Sequence, residues 1–301
     1  MTEEASESDP SRSSPSVTAV IVAYNSAAVL PGCLESLKAE GLRIVVVDNA
    51  SGDATAQLSK DAGAQVIVND ANQGFGRAAN QGIAEVGSEF ALLVNPDVEF
   101  PVGTVGALLE AARRYPDAAL LAPRLVEADG RVFFQARSFL SRILTNPEGL
   151  RREPEGDCCT PFLSGAVLLI RMEAWRALGG FDPRIFLFYE DDDLCRRAAD
   201  AGWSLVHVHA AEARHLRGAS NPQSPANAYR RRWHLAWSRG YVARKYALPG
   251  GLAGVLAVNA AKWLGAALLG KAERRARYAG SLAGAWAYLT GRSALEKEGL
   301  E

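Results

Sequence analysis

Residues Phe186 to Arg197 read FLFYEDDDLCRR: an aromatic run, four carboxylates without a spacer, then two arginines. Like charges this close repel, and apolar neighbours raise the cost of ionising them further. Such a cluster needs open water or a chemical task. Three other places carry polar residues at the end of an apolar run: Tyr24-Asn25, Asp48-Asn49 and Asn95-Pro96-Asp97. Asp97 is a hard oxygen ligand suited to Mg²⁺ or Mn²⁺, which in turn holds phosphates. Asp48 is placed to hydrogen-bond a base or a ribose. The plainer reading of any one of these is turn chemistry, because Asn and Asp are favoured wherever a strand ends in a loop.

The runs before them, VTAVIVAYN, RIVVVDNASGD, AQVIVND and FALLVNPD, are the near-continuous apolar segments of strands buried on both faces. Between them lie helical patterns. One places Val29, Leu30, Cys33, Leu34 and Leu37 on a single face, one begins where Asp53 can cap it, and another spans Val102–Tyr115. A strand follows at AALLAP, a strand or hairpin at GRVFFQARSF, and an irregular loop over 141–160. FLSGAVLLIR reads as a further buried strand, DLCRRAADAG as a helix with Gly202 after its end, and WSLVHVH as the closing strand. This alternation predicts an α/β fold with a mostly parallel sheet flanked by helices. In such a sheet ligands bind beyond the carboxyl ends of the strands, where the polar residues fall. The first strand–helix turn, AYNSAA, is neither a dinucleotide fingerprint nor a phosphate loop. A mononucleotide diphosphate lying along the edge fits the groups present.

Six segments in order, VIVAYN, VVDNASGD, NQGFGRAAN, LLVNPDVEF, the stretch from FLSGAV to DAGW, and HLRGAS, resemble the family 2 glycosyltransferases of GT-A fold. Within that family the chain is most similar to bacterial rhamnosyltransferases of cell-wall and O-antigen assembly. The resemblance runs from about Val17 to Ser220. It implies that Ala23, Tyr24, Asn25 and Asp48 hold the donor base and ribose, and that Asn72, Gly74 and Asn80 belong to a segment closing over the donor. Asn95-Pro96-Asp97 stands where many relatives carry Asp-x-Asp, so Asp97 is the one charged metal ligand there. His215 matches a position that meets the metal or the diphosphate. Asp191 is the general base by the same resemblance, and Glu190 orients the acceptor or Asp191, while Asp192 and Asp193 cap the helix. Phe186, Phe188 and Tyr189 then form an apolar wall that excludes bulk water. The implied reaction is inverting transfer of a sugar, L-rhamnose favoured, from a nucleotide-diphospho-sugar such as dTDP-L-rhamnose. The acceptor is polyprenyl-diphosphate-linked or a glycan. A non-catalytic nucleotide-sugar-binding relative and a sugar-nucleotidyltransferase on a similar sheet are the rival readings. Asp97, Asp191 and His215 count against the first, and the missing phosphate loop against the second.

Charge is unevenly spread along the 301 residues. Residues 1–213 carry 18 Lys and Arg against 30 Asp and Glu, whereas 214–301 carry 15 against 4, although the whole chain is at −1. Three regions follow: an acidic Ser- and Pro-rich tail at 1–16 expected to be disordered, a catalytic domain at 17–220, and a basic helical region at 221–301. In the last, LAGVLAVNAAKWLGAALLG is apolar but interrupted by Asn259 and Lys262, which argues for lying in a membrane interface over spanning it. The basic flanks suit an anionic membrane surface; a packed helical hairpin or a dimer is the alternative, and nothing resembles a nucleic-acid reading module. No signal peptide is evident, and Cys33, Cys158, Cys159 and Cys195 read as reduced thiols. The expected place is therefore cytoplasmic, peripheral on the inner face of the plasma membrane. His207 and His209 read as strand residues in the core or at an edge, and His234 as a surface residue on a basic helix.

Overall fold

The structure, a computed structural model, describes residues 17–134, 138–140, 153, 155–216, 224–248 and 252–300. The acidic tail and most of the 141–160 loop lie outside the described residues, as does most of HLRGAS. In chain order the elements are β1 (Val17–Ala23), α1 (Leu30–Ala39), β2 (Arg43–Asp48), α2 (Thr55–Asp61), β3 (Gln65–Val68), α3 (Phe75–Ala84) and β4 (Phe90–Val94). Then come β5 (Val98–Glu99), α4 (Thr104–Arg114), β6 (Ala118–Glu127), β7 (Val132–Phe133), β8 (Cys158–Cys159), β9 (Val167–Arg171), α5 (Met172–Leu178), α6 (Glu190–Asp200) and β10 (Ser204–His215). Three helices close the chain: α7 (Pro225–Lys245), α8 (Leu252–Leu268) and α9 (Ala272–Leu289), followed by a 3₁₀ turn at Glu296–Glu298.

The strands form one sheet in the order β3-β2-β1-β4-β9-β6-β10-β5, with β7 added to β6 and β8 to β10. β1 explains why the apolar runs are continuous. Ala19, Ile21 and Ala23 pack with Leu30, Leu34, Leu37 and Leu108 on the α1–α4 face. Val20 and Val22 pack with Ala78, Ile83, Phe181 and Leu194 on the α3–α6 face. Both faces are buried, so each position of the strand must be apolar. The sheet is parallel across β1 to β4, but β9 runs antiparallel between β4 and β6. Nothing in FLSGAVLLIR discloses that direction, because a strand buried on both faces reads the same either way.

Several boundaries differ from the sequence reading. α4 begins at Thr104 and not Val102, because Gly103 turns left-handed and the Glu40 carboxylate accepts the Gly103 and Val105 N–H groups. A glutamate at the end of α1 thus satisfies the start of a helix over sixty residues on. Asp53 caps as expected, though from one position before the helix boundary: its Oδ1 accepts the Thr55 N–H at 3.0 Å. Gly202 has the left-handed φ of 86° that a residue just past α6 needs.

The C-terminal helices pack closely. A Cβ on Gly280 or Gly284 of α9 would fall 2.3 or 2.0 Å from the Tyr229 and Trp233 carbonyl oxygens of α7. The two backbones therefore touch, which only glycine allows. Trp233, Trp237, Ala287 and Leu295 fill the junction together with Phe186. His234 is not a surface residue. It is fully buried, stacked on Phe186 at 4.5 Å and bonded through Nε2 to Glu298 at 2.8 Å. Its Nδ1 is buried without a partner among the described residues, which fits the neutral ring carrying its proton on Nε2. Burial also pulls its pKa below the usual value, against the pull of Glu298.

No helix among the described residues is long and apolar enough to cross a membrane. All four cysteines are free thiols.

Candidate active site

Register places the polar strand ends side by side. Ala23 pairs with Asp48 across β1 and β2, and Ile21 with Val94 across β1 and β4. Tyr24, Asn49 and Asn95 therefore leave the sheet at one edge. β10 reaches the same edge through its last residue, because His215 pairs with Val98 of β5 and Leu216 N–H donates to the Asp97 carbonyl at 2.9 Å. The antiparallel β9 begins at this edge, where the Asn95 N–H donates to the Ala166 carbonyl at 2.9 Å.

A cavity of about 610 Å³ opens there, lined among others by Tyr24, Asn49, Asn72, Gly74, Asn95, Asp97 and His215. Asp97 and His215 are buried to 8% exposure each, with His215 Nε2 3.3 Å from Asp97 Oδ1. Asn49 organises the floor. Its Nδ2 donates to Asn72 Oδ1 and the Gly74 carbonyl, and its Oδ1 accepts from the Gln73 N–H and Asn69 Nδ2. Gly74 has φ +81°, and a Cβ there would sit 2.3 Å from the Phe186 carbonyl oxygen, which accepts the Phe75 N–H. That contact brings the aromatic run onto the cavity: Phe186, Leu187 and Phe188 line it, whereas Tyr189 does not.

Other expected residues do not line the cavity. Asp48 is buried, its Oδ2 accepting the Ser51 N–H at 3.4 Å while Oδ1 has no partner among the described residues. Ala23 is buried and accepts the Asn49 N–H through its carbonyl. Asn25 has φ 50° and fixes the next turn by accepting the Gly52 N–H at 2.7 Å. Asn80 does not line the cavity. Both ends of its amide engage the Phe181 backbone, at 2.9 and 3.0 Å, so it ties α3 to the loop leading into the acidic stretch.

The acidic cluster divides by partner. Phe188 and Tyr189 both have positive φ, 68° and 69°, which turns the chain sharply into α6. Such conformations cost about 1–3 kcal/mol each for a side-chain-bearing residue and persist only where the surroundings enforce them. Asp191 Oδ2 accepts the Gly165 N–H at 3.1 Å and Oδ1 the Asp192 N–H at 2.9 Å. Burial raises its pKa, but these two donors favour the charged form. Glu190 is buried with no partner for Oε2 among the described residues, and burial followed by the Asp191 charge pushes its carboxyl well up. Of this pair the surroundings disfavour the charge on Glu190 more, because Asp191 has the two N–H donors. Burial and Asp191 raise Asp192 to about 7, against the Ser138 hydroxyl that donates to it. Asp193 is more than a helix cap. Fully buried, it receives Arg197 Nε at 2.8 Å, Lys245 Nζ at 2.6 Å and the Tyr246 hydroxyl at 2.8 Å, anchoring the end of α7 on α6. Neither Glu190 nor Asp191 is among the residues lining the cavity; the Phe186–Phe188 run that leads into them is.

Sequence reasoning missed the contribution of α7. Asn227, Arg230 and Arg231 from its first turns line the cavity. Arg230 lies over the Phe186 ring at 5.5 Å and pairs with Glu298 at 2.7 Å; Arg231 lies over Phe188 at 5.9 Å. The triple arginine in AYRRRWHLAW was visible, but only packing shows that two of the three face the strand ends. Asn49 was named among the polar strand ends but given no role, and Ser26 and Phe75 also line the site.

Among the described residues no group of three or more His, Cys, Asp or Glu is arranged to hold a metal. Asp97 and His215 supply one carboxylate and one imidazole, and Asn95 an amide oxygen. A carboxylate, an amide oxygen and an imidazole are donors that a divalent cation such as Mn²⁺ would accept beside the oxygens of a diphosphate. The residues present therefore fit a cation shared with an anionic ligand.

A glycosyl transferase family 2 model matches residues 18–179, and a glycosyl transferase family group 2 model matches 105–290. The N-acetylglucosaminyl-diphospho-decaprenol L-rhamnosyltransferase of Mycobacterium tuberculosis is 32% identical over 214 residues, 61% of this chain and 69% of that protein. Rhamnosyltransferase WbbL of Escherichia coli is 26% identical over 245 residues, 75% of this chain and 92% of that one. In fold, the mannosyltransferase PcManGT of Pyrobaculum calidifontis, solved with GDP-Man and Mn²⁺, is similar at a TM-score of 0.56. The two are 20% identical, and the match covers 91% of this chain and 86% of the other. With a nucleotide-sized cavity at the carboxyl edge of a mixed sheet, and family models spanning most of the sequence, the chain belongs to glycosyltransferase family 2 and is a glycosyltransferase of GT-A fold, similar to bacterial rhamnosyltransferases.

Proposed function

We propose that this glycosyltransferase moves a sugar, L-rhamnose favoured, from a nucleoside-diphospho-sugar to a lipid-linked acceptor with inversion. The observation that carries the reading is the single cavity uniting Tyr24, Asn72, Asn95, Asp97 and His215 with two arginines of α7. Base and ribose lie against Tyr24, with Asp48 Oδ1, which has no partner among the described residues, and the Asn49 network behind them. The diphosphate lies toward Asp97, His215, Arg230 and Arg231, where cations offset the charge gathered by the leaving group. Asp97 and His215 would hold a divalent ion there, which would add to that neutralisation. Asp191, held by two backbone donors that favour its ionised form, takes the acceptor proton. Phe186, Leu187 and Phe188 keep bulk water from the anomeric carbon and so limit donor hydrolysis.

The rhamnose preference and the lipid-linked acceptor rest on the similarity to the mycobacterial enzyme, whose name specifies both. Residues 17–220 carry the sheet chemistry in this reading, and 221–301 add the α7 cations and an anionic-membrane contact. The decisive experiment is turnover of dTDP-L-rhamnose, UDP-GlcNAc and GDP-mannose with a prenyl-diphosphate-linked GlcNAc acceptor, with and without Mn²⁺. Transfer from dTDP-L-rhamnose with inverted anomeric configuration is the expected result. Transfer from another donor replaces the sugar assignment, and nucleotide binding without transfer or hydrolysis replaces the enzyme reading with a binding protein.

A further inference from the structure

A second cavity, of about 540 Å³, lies where α7, α8 and α9 meet and shares no residue with the first. Its walls include Leu248, Leu252, Tyr288 and Leu289, together with Arg239 and Arg244. Neither arginine is within ion-pair distance of a carboxylate among the described residues. Apolar walls with two uncompensated cations match an amphiphile that has an anionic head and a hydrocarbon chain.

Two features extend the match. Arg239 stands 4.4 Å over the Phe139 ring, Phe139 packs edge-on to Tyr189 at 5.9 Å, and Tyr189 immediately precedes Glu190 and Asp191. The cationic end of the cavity thus adjoins the acidic start of α6. On the other side, α8 leads away for about 25 Å at the helical rise per residue, with Val258, Trp263, Leu264, Leu268 and Leu269 all exposed. Leu252 and Tyr288 both border Gly240, so α8 and α9 form an antiparallel hairpin whose far end is basic as well as apolar: Lys271, Arg274 and Arg275 are exposed.

We propose that this cavity is a binding site for a phosphate-bearing lipid, the carrier portion of the acceptor. Its phosphate lies on Arg239 and Arg244, and its chain lies along α8 into the bilayer surface. This places the sugar-bearing end of the head group toward Asp191. The site rests on the acceptor class of the proposed function, so the experiment separates the two. Farnesyl diphosphate, farnesol and inorganic pyrophosphate are titrated into the full chain by calorimetry, alongside dTDP and UDP, for wild type, Arg244→Glu and Leu289→Asp. Wild type is expected to bind farnesyl diphosphate at least about tenfold tighter than farnesol or pyrophosphate. Each variant should lose about tenfold or more of that affinity while nucleoside diphosphate affinity and melting temperature hold. If wild type binds no nucleoside diphosphate, the donor reading falls. If nucleoside diphosphate binds but farnesyl diphosphate and pyrophosphate bind alike, or Arg244→Glu keeps wild-type farnesyl diphosphate affinity, the lipid site falls and the donor reading stands. A dimer broken by Leu264→Asp, with farnesyl diphosphate affinity unchanged in every variant, assigns the apolar face to a second copy and also overturns the proposal.

Discussion

Four adjacent carboxylates have four different surroundings here, and their roles differ accordingly. Asp191 keeps two backbone N–H donors, Glu190 none for Oε2 among the described residues, Asp192 a hydroxyl, and Asp193 three cationic or hydroxyl partners. Asp191→Asn should lower transfer by about 10²–10⁴-fold while dTDP affinity survives, since Asp191 lies outside the donor cavity. The wild-type rate should rise with pH through the raised Asp191 pKa, because only the ionised carboxylate accepts a proton. Glu190 gives a stability test. Its folded pKa is raised, so above the ordinary carboxylate pKa the folded state binds more protons than the unfolded state. Stability therefore falls as pH rises from about 4 toward neutrality, and Glu190→Gln should flatten that fall. Melting curves taken across this range check it; an unchanged slope would contradict the buried-proton assignment.

At the scale of elements, two close approaches hold the site together. Gly74 admits the Phe186 carbonyl beside the start of α3, and Gly284 admits the α7 backbone against α9. Gly74→Ala puts a Cβ into an extended positive-φ conformation, φ 81° and ψ 168°, at about 1–3 kcal/mol, on top of a backbone clash, so it should displace the aromatic run and weaken dTDP binding. Gly284→Val should push α9 off α7. Limited proteolysis is expected to cut that variant within 246–300 far faster than wild type, with a parallel loss of donor affinity as α7 loosens. Donor affinity that survived the proteolytic change would show that α7 holds Arg230 and Arg231 in place without α9.

Across the whole molecule, the end of the chain reaches back to the chemistry. Glu298, in the 3₁₀ turn after α9, grips Arg230 and His234. Burial pushes its carboxyl up, but the His234 and Arg230 hydrogen bonds outweigh that and hold it at about 2. This stabilisation is present above the ordinary Glu pKa of about 4.3 and is lost as pH falls toward 2. Glu298→Gln should raise the donor KM more than it lowers kcat, by freeing Arg230 from its position over Phe186. An unchanged KM would mean that Arg230 does not meet the donor. Removing α7 to α9 is a poor test of membrane contact, because α7 buries Trp233, His234 and Trp237 against the rest of the fold. Trp263→Asp with Leu264→Asp is the sharper variant, and it should reduce flotation with phosphatidylglycerol vesicles while leaving dTDP affinity intact.

The amino-acid order by itself determined the alternating α/β plan, the carboxyl edge and the named strand ends, because strands buried on both faces must be apolar and must stop where polar residues appear. It also held the six ordered segments behind the family resemblance. It did not disclose the reversed direction of β9, since hydrophobicity carries no polarity, nor did it separate a buried His234 from a surface one on a helix rich in arginine. Which carboxylate has its charge disfavoured more, which arginines face the strand ends and where Glu298 lies are long-range facts. They depend on neighbours tens or hundreds of residues away, and only the packed tertiary structure brings those neighbours within hydrogen-bond distance.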